Sequence, residues 1–158
     1  MTTQPPLPSY DLRTLILHIF ISTEELIQLF GSLPHLRNIA VSGKTVLNVI
    51  FAMTHTPQNY ILQSASYSVA FPALRSLSIR AIEYTSSISP GKEVDLMLRC
   101  FTERRERNAS LEELEIFQCK HVCESHVNLL QKIVVNVRWD KDGIEDCQSL
   151  YTEPKPKV

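Results

Sequence analysis

The sequence predicts an α/β fold in which short parallel strands line one face and helices cover the other, stacked unit upon unit as a solenoid. Three observations predict it. A pattern of the form apolar-x-x-apolar-x-apolar occurs four times, a helical pattern follows each copy, and the positions between the apolar ones are mostly polar or small. Strands of that kind have one buried and one wet face, so helices are needed on one side only.

The copies are Leu12/Leu15/Leu17, Leu36/Ile39/Val41, Leu74/Leu77/Ile79 and Leu111/Leu114/Ile116. Arginine takes the second place in three of them, as Arg13, Arg37 and Arg75. Pro34 and Pro72 stand two residues before their leading leucines and keep the incoming chain extended. Val134/Val137/Trp139 is a weaker fifth copy and reads as a closing strand, with Trp139 covering the last unit. Alternation of period two turns Leu15, Leu17, Ile39, Val41, Leu77, Ile79, Leu114 and Ile116 inward.

After the first strand, Ser22-Thr-Glu-Glu25 forms a capping box, and Leu26, Ile27 and Phe30 share one face, which predicts a helix over 23–31. Val46, Leu47, Ile50 and Phe51 repeat the spacing in the second unit. Val94, Met97, Leu98 and Phe101 do so in the third, and Val127 and Leu130 with Ile133 or Val134 in the fourth. A strand–helix–strand alternation requires parallel strands joined by crossovers. A doubly wound sheet also alternates in this way, but it buries both strand faces, and Asn38, Ser76, Ser78, Glu113 and Glu115 do not suit burial.

The leading apolar positions are separated by 24, 38, 37 and 23 residues. The excess is expected as loops over 54–70 and 84–92. One domain of about four repeats and a closing strand is expected over 1–143, with a flexible tail at 144–158 whose apolar content is too low to join a core.

Charge and composition narrow the function classes. Lysine and arginine total 16 against 17 acidic residues, a net charge of −1, so no global field draws the chain to nucleic acid or an anionic membrane. Apolar stretches stop well short of the ~18 residues that span a bilayer. The chain reads as intracellular, cytoplasmic or nuclear, with Cys100, Cys119, Cys123 and Cys147 as reduced thiols. Only four glycines are present, which argues against a phosphate cradle, and neither a nucleophile elbow nor a paired acid and base occurs. A non-enzyme without a cofactor is the expectation. Arg104, Arg105 and Arg107 are interleaved with Glu103 and Glu106 and read as a solvated helix end rather than a phosphate-binding patch.

Cys119, His121, Cys123 and His126 fall within eight residues and raise zinc. Their C-x-H-x-C-x-x-H spacing is tighter than that of usual zinc sites, and no metal is expected. A small zinc-stabilised or RNA-binding interaction module is the alternative reading. Leu111, Leu114, Ile116 and Cys119 instead fit the L-x-x-L-x-L-x-x-[NC] core of the leucine-rich repeat.

The stretch over 71–143 resembles the C-terminal leucine-rich repeats of F-box-like proteins of mushroom-forming fungi. The resemblance rests on FPALRSLSI at 71–79, LRCFTERRERN at 98–108, SLEELEI at 110–116 and VRWD at 137–140, in that order. It implies a protein-binding, substrate-recognition scaffold for a cullin ubiquitin ligase. An F-box opens with Leu-Pro and a glutamate-containing helix, whereas here Leu12 begins a repeat and Leu33-Pro34 leads into a strand. A Skp-type adaptor is therefore expected as partner only if an F-box lies upstream. The family's usual binding surface is the concave strand face. On this chain it would carry Thr14, Ile16 and His18, then Asn38, Ala40 and Ser42, with Ser76, Ser78, Arg80, Glu113, Glu115 and Phe117 as the protein-binding residues. Phe117 and Arg80 are the expected anchors.

Overall fold

A computed structural model describes residues 11–54, 69–82 and 92–141. The expected loops at 54–70 and 84–92 fall outside the described residues except at their ends, and the tail at 144–158 lies outside them altogether. Five strands and four helices alternate along the chain: β1 (Thr14–Leu17), α1 (Thr23–Phe30), β2 (Asn38–Gly43), α2 (Thr45–Thr54), β3 (Ser76–Ile82), α3 (Lys92–Glu106), β4 (Glu113–Phe117), α4 (Glu124–Gln131) and β5 (Asn136–Trp139). The strands form one sheet in the order β1-β2-β3-β4-β5, and every pairing is parallel. Strand order thus follows chain order with no reversal. Among the described residues no helix is long and apolar enough to cross a membrane.

Register puts equivalent positions side by side. Leu15, Ile39, Leu77, Leu114 and Val137 form one row across the sheet, and Leu17, Val41, Ile79, Ile116 and Trp139 form the next. In the three inner strands these side chains are sealed from water. Leu15, expected inside, is only half-buried, because β1 has a neighbour on one side alone. Val137 and Trp139 on β5 are half-buried for the same reason and pack against the core.

Two backbone features recur with the rows. The carbonyls of Arg13, Arg37 and Arg75 each accept two consecutive N–H groups of the next unit, at 2.8–3.0 Å, those of Arg37 and Asn38, Arg75 and Ser76, and Glu112 and Glu113. Two residues after the second inward position, the backbone turns left-handed at Gly43, Ala81, Gln118 and Lys141, with φ between 49° and 70°. Three of those four carry a Cβ, so the turn is imposed by the surrounding structure rather than by glycine.

The helices follow from their apolar faces. Ser22 Oγ accepts from the Glu25 N–H at 3.2 Å, and Glu25 Oε2 accepts from the Ser22 N–H at 3.3 Å, which starts α1 at Thr23. α2 packs between α1 and α3 and is buried nearly all round. α3 buries Val94, Met97, Cys100 and Phe101, while Leu98 is half-buried. α4 ends at Gln131, so Ile133 and Val134 lie beyond it, where the chain turns back to the sheet and Val134 is buried.

Arg104 departs from the expected solvated helix end. It is 1% exposed and donates through Nε to the Ala109 carbonyl at 3.1 Å, and through its two Nη atoms to Ala70 and Phe71 at 2.8 Å each. The position continues the stripe of Met97 and Phe101, so helical geometry carries it inward, where three carbonyls satisfy it. Arg105 and Arg107 are exposed.

Replacing Leu114 with alanine is expected to cost roughly 2–5 kcal/mol in a urea titration, the range for a truncation that leaves a cavity in a sealed interior. Leu15→Ala should cost less than about 2 kcal/mol, since a half-exposed side chain gains only part of its transfer energy. Equal costs at the two positions would contradict the edge assignment of β1.

Candidate functional site: the open face of the sheet

Opposite the core, the alternate strand residues form a second set of rows. Asn38, Ser76 and Glu113 stand in register, then Ala40, Ser78 and Glu115, then Ser42, Arg80 and Phe117. Ser76, Ser78, Glu115 and Phe117 are half-buried, whereas Arg80 and Glu113 are exposed. Thr14 and Ile16 extend the first two rows onto β1, and His18 lies just past that strand's end. All six expected binding residues therefore belong to one surface built by β3 and β4.

Side chains on this face pair across strands. The Arg80 guanidinium lies over the Phe117 ring, 5.6 Å from its centroid, a cation–π arrangement. Left-handed Ala81 and Gln118 directly after them end the straight run of each strand. The Gln118 N–H donates to Asp140 Oδ2 at 2.9 Å, which ties the turn after β4 to the end of β5. Glu115 meets Arg138 at 3.3 Å, Asn38 Nδ2 donates to Thr14 Oγ1 at 3.2 Å, and His18 Nδ1 lies 3.3 Å from Ser42 Oγ. Arg138 was absent from the expected set. Its signal was present in the weak fifth copy, where it occupies the place that Ser78 and Glu115 occupy in theirs. No known family model, curated protein or solved structure matches this chain.

The cysteine and histidine cluster sits at the turn between β4 and α4. Cys119 is buried, its thiol donates to the Phe117 carbonyl at 3.3 Å, and burial pushes its pKa up to about 11. Cys100 and Cys119 are free, but Cys123 is disulfide-bonded, which corrects the expectation that all four cysteines are reduced. Composition could not reveal this, since pairing depends on which sulfurs the fold brings together. Among the described residues, no group of three or more His, Cys, Asp or Glu is gathered as a metal site would need.

His126 is buried in the first turn of α4, where its Nδ1 accepts from the Cys123 N–H at 3.4 Å. Acceptance requires the neutral ring, and the positive end of the helix dipole also disfavours a cation there. Burial holds the His126 pKa below its usual 6.5, with Glu93 and Asp95 opposing the shift. The unfolded chain therefore takes the proton first as pH falls. The stabilisation from neutral His126 is complete above ~6.5 and is lost progressively below it. The urea midpoint is expected to fall between pH 7.5 and pH 5.5, and His126→Gln should flatten that slope. An unchanged slope in the variant would assign the pH dependence elsewhere.

Proposed function

We propose that the five parallel units are a leucine-rich-repeat solenoid and that the chain is a non-enzymatic protein-binding scaffold, acting in the cytoplasm or nucleus through the open face of its sheet. The solenoid reading is supported by strand order that never reverses and by backbone features that recur from unit to unit. The first four units each hand the next a carbonyl at the equivalent position, and the last four strands end in the same left-handed turn. A chain built this way presents a rigid surface whose side chains are set by register, so little ordering is needed when a partner docks.

The observation that carries the binding assignment is the Arg80–Phe117 pair. A half-buried aromatic ring capped by an exposed guanidinium, with the core sealed beneath, is the kind of anchor that concentrates energy at protein interfaces. The resemblance to F-box-type repeats fits the same role, that of recognising a target for a ubiquitin ligase. A Skp-type adaptor joins only if an F-box lies upstream. No cofactor or metal enters this reading.

The test is capture of binding proteins from a fungal lysate with wild type, Arg80→Glu and Phe117→Ala, each first checked for an unchanged melting profile. Loss of the same partners from both variants is expected. Identical partners on all three proteins would remove the open face as the site.

A further inference from the structure

We infer that two copies of the chain join edge to edge through β1, antiparallel across a two-fold axis at Ile16, to make one ten-stranded sheet. This does not depend on what the open face binds. β1 pairs with β2 on one side, and among the described residues no strand lies on the other. The Arg13 carbonyl accepts from Arg37 and Asn38, so by alternation along the strand Leu15 and Leu17 also bond towards β2, while Thr14 and Ile16 turn their N–H and C=O groups to the free edge. Such an edge is a template for another strand. The opposite edge, β5, carries Arg138 and runs into Asp140 and Lys141, whereas from Thr14 to Thr23 there is no charged residue, proline or glycine. Apolar surface gathers on this unguarded side. Ile16, Ile19, Phe20 and Leu29 are 60–69% exposed. Thr23 donates to the Asn48 carbonyl of α2 at 3.5 Å, and Leu29 lies about 120° around α1 from Thr23, on the flank away from α2. Four such side chains offer roughly 400–500 Å² per copy before any strand backbone is counted, against about 800 Å² per partner in a specific interface.

Backbone chemistry and charge decide what fills the edge. An incoming strand must donate N–H groups, and residues 1–10 hold Pro5, Pro6 and Pro8, which have none. β5 of another copy would enter parallel and leave a contact that never closes. A second β1 closes it by symmetry. With the helices of both copies on one side of the sheet, opposed residues must share a face, so the axis passes through a residue rather than between two. At Ile16 it sets that residue's outward backbone groups on those of its own copy, and Leu15 beside the partner's Leu17. Around the start of β1 stand exposed Arg13, Arg37 and Asp11, two cations to one anion. The hydrogen bond from Arg13, with His35 and Arg37 close by, holds the Asp11 carboxyl below its usual range. Past the end of β1 the balance reverses: Glu24 and Glu25 open α1, and Lys44 lines one hollow with Ile19 and Phe20. Antiparallel pairing lays each positive end beside the partner's negative end.

The measurement is sedimentation of the full chain over a range of concentrations, with amide exchange followed at Ile16. Wild type is expected to be a dimer by about 100 µM, since an interface near the lower size limit gives micromolar affinity or better. Ile16→Lys sets like charges on the axis and should weaken association by about tenfold or more. Val135→Lys, at an exposed position beside the far edge, should leave it unchanged. Ile16→Cys should give a covalent dimer under mild oxidation, because a residue on the axis meets its own copy within disulfide reach. A monomer at all concentrations would overturn the inference, and a protected Ile16 amide in that monomer would assign the edge to residues 1–10. Species that keep growing with concentration would point to β5 on β1 and overturn the two-fold axis. A dimer indifferent to Ile16→Lys and not cross-linked by Ile16→Cys would place the contact elsewhere and also sink it.

Discussion

A single buried guanidinium holds together the part of the chain where the repeat spacing is longest. Arg104 donates to the carbonyls of Ala70 and Phe71, just before Leu74, and to that of Ala109, just before Leu111. Both approaches pass through left-handed residues, Phe71 with φ 54° and Asn108 with φ 59°. Each costs about 1–2 kcal/mol when the residue is not glycine, and each leaves inward carbonyls that must be satisfied. Arg104 satisfies three with one side chain. Burial lowers its pKa to about 10, so the group stays charged at neutral pH, and among the described residues no carboxylate meets it. Fixing those two approaches fixes where Leu74 and Leu111 enter the core, and with them the alignment of β3 and β4 that sets Arg80 beside Phe117.

Much of this was legible because a repeat is a strong signal. Where copies share an apolar pattern and neighbouring strands run parallel in step, residues at equal offsets become neighbours, and Arg80 and Phe117 both stand one position after the strand's second inward residue. The capping box at Ser22 likewise placed the start of α1, since both of its hydrogen bonds are local. Leu15 was misjudged because burial at an edge depends on a missing neighbour, which periodicity does not encode. The end of α4 was misjudged because no glycine or proline stops the helix; the chain leaves it at Gln131 to rejoin the sheet.

Arg104 was hidden by its company. In a run of alternating charges it looks solvated, and only its place three residues after Phe101 and seven after Met97 marks the buried stripe. A charged residue on such a stripe needs carbonyls or acids to meet it, and those lie 33 and 34 residues away in the chain at Phe71 and Ala70. The pairing of Arg138 with Glu115 was obscured by the weakness of the fifth copy, whose strand is short and half-exposed.

The central claim is that the entries to β3 and β4 are locked locally by Arg104, while the β1–β2 junction is held by its own ladder. Native-state hydrogen exchange on wild type and Arg104→Gln tests it most directly. The amides of Arg75, Ser76, Glu112 and Glu113, which bond to carbonyls of the preceding unit, are predicted to lose protection in the variant, while those of Arg37 and Asn38 keep theirs. Protection that falls evenly across all the strands, or does not change at all, would contradict it.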